Sequence, residues 1–132
     1  MYKSKKILTL LFFLITGFAQ AQTPKTRILF VLDGSGSMYA KMGVDNRITV
    51  AKRLLSRMVD SLKYQDEVEL ALCVYGHQSI KTDRNCKDTR LEVPFSQSNH
   101  AAIKEKIKNL RPKGTTLIAY SLQEAAYDFP KS

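Results

Sequence analysis

The sequence contains no internal repeat and no low-complexity tract. Beyond residue 21 it has no apolar run approaching the roughly 18 residues that cross a bilayer, so a membrane span in the mature chain is excluded. Cysteine is scarce: Cys73 and Cys86 permit at most one disulfide and show no zinc-type spacing with histidine. There is no Gly-x-x-x-x-Gly-Lys-Ser/Thr phosphate loop, and Gly34-Ser35-Gly36 has the wrong spacing for a Gly-x-Ser-x-Gly nucleophile elbow. Acidic residues are outnumbered, 12 against 21 Lys and Arg, for a formal net charge of +9. The basic residues do not cluster like a nucleic-acid groove and no aromatic platform accompanies them, so nucleic acid is not an expected partner. What is present is an ordinary globular balance, 44% hydrophobic and 25% charged, which argues against a disordered chain.

The N-terminus has its own character. Lys3, Lys5 and Lys6 precede an apolar run from Ile7 to Ala19, and Ala19-Gln20-Ala21 is a small-x-small cleavage pattern. A basic end, a short apolar run and a small-residue site together form an export signal over residues 1–21. Cleavage after Ala21 leaves 111 residues with a formal charge of +6, enough for one modest domain. The product is expected outside the cytoplasm: periplasmic, cell-surface or extracellular.

After a polar linker at residues 22–26, Ile28 to Leu32 is continuously apolar, as a strand buried on both faces would be. Asn46 can cap a helix in which Ala51, Leu54, Leu55, Met58, Val59 and Leu62 recur at helical spacing. Val68 to Tyr75 reads as a second strand, and Thr89 to Phe95, charged at Arg90 and Glu92, as an edge strand with one wet face. Ser98 or Asn99 can cap a second helix carrying Ile103, Ile107 and Leu110, which Pro112 ends. A third helix carries Ile118, Leu122, Ala125, Ala126 and Phe129. Strands alternating with helices predict an α/β sheet.

The chemistry lies in Asp33-x-Ser35-x-Ser37, directly after the first strand. Two glycines free the backbone to turn, so that one carboxylate and two hydroxyls can converge on one point. These are hard oxygen ligands, suited to Mg²⁺ or Mn²⁺ rather than to zinc. The end of a strand is also where open α/β folds bind ligands. A simple Gly/Ser turn is the alternative for this segment.

Leu32-Asp33-Gly34-Ser35-Gly36-Ser37-Met38 resembles the first part of the metal-ion-dependent adhesion site of the von Willebrand factor A (VWA) domain family. Lys113-Gly114-Thr115-Thr116-Leu117-Ile118-Ala119 is similar to the family's later loop, in which a Thr adds a ligand. Val74-Tyr75-Gly76-His77 and Cys86-Lys87-Asp88 are similar to exported bacterial members. The resemblance spans about residues 26 to 130 and implies a Rossmann-like VWA fold, a mostly parallel sheet flanked by helices, over residues 27–132. It implies a metal set of Asp33, Ser35, Ser37 and Thr115, with Thr115 ahead of Thr116 and Asp33 acting directly or through water. The ion expected is Mg²⁺, with Mn²⁺ or Ca²⁺ as substitutes, and the partner is a protein presenting Asp or Glu to it. The family's third element, an Asp after a later strand, has no counterpart before Ser132, so the resemblance implies a partial domain lacking later strands.

Two readings compete with this adhesion module. An incomplete copy would have little activity of its own. A serine-type hydrolase would use Ser35 or Ser37 with His77, but the missing elbow argues against it, and no enzyme activity is expected. For the cysteines, Cys73 and Cys86 can form one bridge, stabilising by about 3 kcal/mol, or Cys73 can be a small buried hydrophobe.

Overall fold

The structure is a computed structural model that describes residues 25–131. The expected export signal at 1–21 and residues 22–24 of the linker lie outside the described residues. Thr26, taken from the sequence as linker, already belongs to the first strand.

Five strands and three α-helices follow: β1 (Thr26–Asp33), β2 (Lys41–Met42), β3 (Asp45–Asn46), α1 (Arg47–Ser61), β4 (Val68–Tyr75), β5 (Thr89–Ser96), α2 (His100–Asn109) and α3 (Ile118–Tyr127). Single 3-10 turns occupy Gly36–Tyr39 and Lys81–Asp83. The main sheet has the order β1-β4-β5. β1 and β4 run parallel in unbroken register from Thr26 opposite Val68 to Asp33 opposite Tyr75. Joining them through α1 is the strand–helix–strand crossover that a parallel pair requires. β5 returns antiparallel to β4 with register shifts along the pairing, and Pro94, which cannot donate a ladder hydrogen bond, is tolerated on this outer strand.

The central strand β4 is buried from Leu70 to Tyr75. Alternation sends Leu70, Leu72 and Val74 to one face. There they pack with Ile48, Leu55 and Val59 of α1, Ile103 and Ile107 of α2, and with Leu32 and Val93. Small side chains of α3, Ser121 and Ala125, are buried as that helix packs against β1 and β5, and Phe129 lies 4.9 Å from Phe95, ring centre to ring centre.

The local signals behave largely as their chemistry dictates. The Asn46 carboxamide oxygen accepts the Thr49 amide at 3.0 Å and caps α1. Asn99 precedes α2 but does not cap it with its side chain. Its amide instead turns inward and donates to the Leu70 and Pro94 carbonyls at 2.6 and 2.8 Å, tying helix to sheet. β1 is less enclosed than its composition predicts: Ile28 to Val31 are half-buried and only Leu32 is fully buried. Among the described residues β1 pairs along one edge alone.

Both cysteines are free. Cys73 is buried in β4 and contacts the Thr89 hydroxyl at 3.4 Å, whereas Cys86 is exposed and faces the Arg84 carbonyl. In this structure the two sulfurs are not bonded to each other, and Cys73 packs as a small buried side chain. Among the described residues no helix is long and apolar enough to cross a membrane.

Candidate metal centre

The parallel pair β1/β4 ends at Asp33 and Tyr75, and three loops meet just beyond those ends. Main-chain hydrogen bonds lace them together. Gly34 N–H donates to the Tyr75 carbonyl at 2.7 Å, Gly36 N–H to Gly114 at 2.9 Å, and Lys113 N–H to Gly34 at 3.0 Å. Gly114 N–H donates to Gly76 at 2.8 Å, and Gly76 N–H to Asp88 at 2.7 Å.

Glycine is needed here for proximity more than for turning. Neither Gly34 nor Gly36 has a positive φ. A Cβ on Gly34 would stand 2.8 Å from His77 Cβ and 2.9 Å from the Tyr75 carbonyl oxygen. Gly76 combines both demands: its φ is +68°, and a Cβ would lie 2.6 Å from the Thr115 carbonyl oxygen.

On this platform stand three hydroxyls. Ser35 Oγ lies 2.9 Å from Ser37 Oγ and 2.8 Å from Thr116 Oγ1, and the last two are 3.2 Å apart. Ser35 is buried at the base, while Ser37 and Thr116 are exposed. The Asp33 carboxylate accepts the Ser35 amide at 2.7 Å, which fixes the first turn of the loop. It also adds to the upward push that burial exerts on the Tyr75 phenol. The structure thus brings together Asp33, Ser35 and Ser37, three of the four residues that the resemblance implies. Thr116, not Thr115, brings its hydroxyl to the cluster. The Thr115 backbone carbonyl oxygen lies against Gly76, 2.6 Å from where a Cβ would stand.

The spacing of the hydroxyls bears on which ion fits. Adjacent vertices of an octahedron of oxygens around Mg²⁺, at about 2.0–2.1 Å, lie about 2.8–3.0 Å apart, whereas Ca²⁺ at about 2.3–2.6 Å requires about 3.3–3.7 Å. The separations of 2.8 and 2.9 Å match an edge of the smaller shell, whereas the third, 3.2 Å, lies between the two ranges. No cluster of three or more His, Cys, Asp or Glu that could hold a metal ion occurs among the described residues; the oxygen groups gathered here are one carboxylate and three hydroxyls.

Two neighbours were not legible as site residues. Asp88, 1% exposed, accepts the Gln78 and Ser79 amides at 3.0 and 2.8 Å and the Gln78 side-chain amide at 3.0 Å. It thereby shapes the turn after β4 on which the platform rests. A buried Asp two residues past a cysteine in a polar connection carried no sequence signal of that role. Glu92, placed on a wet face by its alternation, has a side chain only 6% exposed. His77 Nε2 meets its carboxylate at 2.7 Å and Lys106 Nζ at 2.9 Å, with Arg90 alongside. Burial pushes the Glu92 carboxyl up, but the hydrogen bonds from Lys106, His77 and Arg90 outweigh it and hold it at about 2. With His77 turned to Glu92 and the serine hydroxyls turned to Thr116, no serine–histidine pair is formed.

Known proteins share this architecture. The uncharacterized protein YwmD of Bacillus subtilis (strain 168) is 26% identical over 116 residues, 85% of this chain and 51% of that protein. The crystal structure of the conserved hypothetical protein BatB from Bacteroides thetaiotaomicron superposes with a TM-score of 0.62 at 24% identity, covering 81% of this chain and 47% of that one. The vWF domain of the type V pili tip protein Mfa5 from Porphyromonas gingivalis gives 0.61 at 22% identity, with 81% and 33% covered. The PilB minor pilin from Streptococcus sanguinis gives 0.60 at 17% identity, with 81% and 27% covered. The chain spans about half the length of the curated relative it matches. Residues 28–131 match the sequence profile of the von Willebrand factor type A domain, and the chain belongs to that family.

Proposed function

We propose that the chain is an exported protein-binding module in which Asp33, Ser35, Ser37 and Thr116 hold a Mg²⁺-class ion that captures an acidic side chain of a partner. The observation that carries this reading is the convergence of three hydroxyls from two loops, 79 to 81 residues apart in sequence, within 2.8 to 3.2 Å of one another and next to the Asp33 carboxylate. With a single formal negative charge in the donor set, a divalent cation bound there stays under-neutralised and attracts a carboxylate as its remaining ligand. Ser35 supplies the buried base and Ser37 and Thr116 the exposed rim, so the open side faces the partner. Export fits the N-terminal signal pattern, and the pilus proteins among the structural neighbours fit a role in attachment. Binding without turnover fits a site whose serines face one another rather than a base.

Mg²⁺ titration of the parent chain and of Ser37→Ala, followed by calorimetry, tests the assignment. The variant is expected to lose at least about tenfold in affinity. Equal binding by the two proteins removes Ser37 from the ligand set.

A further inference from the structure

Beside the metal centre lies a cavity of about 490 Å³ lined by His77, Arg90, Glu92, Lys106, Arg111 and Lys113, among others. Its charge is unbalanced. Four of these side chains are permanent cations and one is a carboxylate, and both oxygens of that carboxylate are taken, by His77 and Arg90 on one and Lys106 on the other. Arg111 and Lys113 have no acidic partner within salt-bridge distance among the described residues. The cavity also shares its wall with the metal loop. The Lys113 amide is bonded to the Gly34 carbonyl at 3.0 Å, and His77 lies directly against Gly34.

We propose that this cavity is an oxyanion subsite that receives a second acidic side chain of the partner segment engaged at the metal centre, with Arg111 and Lys113 as its binding cations. Unpaired cations on a concave wall give charge-assisted hydrogen bonds to a carboxylate without displacing an existing partner. The proposal rests on the metal-centre reading for its source of carboxylates, but the subsite itself is testable without metal. A partner with two acids close in sequence would then be favoured over one with a single acid, because the second contact is intramolecular once the first is made.

The test is an NMR titration of the chain with sodium sulfate at constant ionic strength and without divalent metal, so that a failure of the metal centre does not register. Saturable shifts are expected at Arg111, Lys113 and His77. The exposed double substitution Arg111→Gln/Lys113→Gln, with an unchanged far-ultraviolet dichroism spectrum, is expected to weaken sulfate by about tenfold or more. Acetyl-Glu-Glu-amide is expected to displace the sulfate. Absence of saturable shifts, or equal sulfate affinity in the double variant, overturns the subsite. Sulfate that binds but is not displaced by the dipeptide overturns the acidic-partner assignment in favour of a free oxyanion.

Discussion

Gly76 is where the three loops come closest, and substituting it separates two physical costs. Its φ of +68° is matched by that of Gly43, +67°, in the turn between β2 and β3. A Cβ on Gly43 meets nothing within 4 Å, whereas one on Gly76 meets the Thr115 carbonyl oxygen at 2.6 Å and Ser35 Cα and Cβ at 3.0 Å. Gly43→Ala therefore carries only the left-handed backbone penalty, about 1–2 kcal/mol. Gly76→Ala carries that penalty plus the displacement of two backbone segments, a further 1–3 kcal/mol or so. The total, about 2–5 kcal/mol, is a large share of the roughly 5–15 kcal/mol by which domains are stable. Urea unfolding followed by far-ultraviolet dichroism reads the difference, the chain having no tryptophan. At a slope of about 1–2 kcal/mol per molar urea, the Gly76→Ala midpoint is expected about 0.5–3 M below that of Gly43→Ala. Coincident midpoints would falsify the claim that close approach, rather than backbone conformation, fixes glycine at position 76.

Three further outcomes follow from the geometry. Thr116→Ala is expected to weaken Mg²⁺ by at least about tenfold, while Thr115→Ala leaves it within a factor of about two; the reverse order in a calorimetric titration restores the sequence-based assignment. Glu92 has its folded value lowered from 4.5 to about 2, so its stabilisation is complete above about pH 4.5 and drains away as pH falls toward 2. Glu92→Gln is expected to flatten that stretch of the stability–pH curve, and a slope equal to the parent's would show that the carboxylate contributes nothing there. In unreduced protein, Ellman's reagent is expected to titrate Cys86 at once and Cys73, whose thiol burial pushes up, only after denaturation; finding no thiol at all would establish the bridge.

The elements were readable where periodicity and burial agree. Val68–Tyr75 and α1 with its Asn46 cap coincide with the sequence expectation because their apolar residues face a real core. The hairpin of β2 and β3 escaped, since two-residue strands carry no period and Gly43 alone announces the turn. At the centre, the grouping of Asp33, Ser35 and Ser37 was legible because one loop holds all three residues. Which of Thr115 and Thr116 brings its hydroxyl to that group was not legible, because neighbouring threonines are chemically alike. Glu92 shows the opposite failure: alternation gave its face correctly as polar, but long cationic side chains from α2 and β5 fold over that face and enclose the carboxylate. Asp88 was invisible because its work is done on main-chain amides that no side-chain pattern records.

The lacing of Gly34, Gly36, Gly76 and Gly114 is made of main-chain groups alone, while the Arg111 and Lys113 side chains beside it take no part in it. The molecule is thereby divided into a fixed seat and an exchangeable collar. Such side chains can be replaced without disturbing the backbone that aligns the hydroxyls. A new partner preference can therefore arise by surface substitution while the centre stays intact, and the same seat can serve different collars.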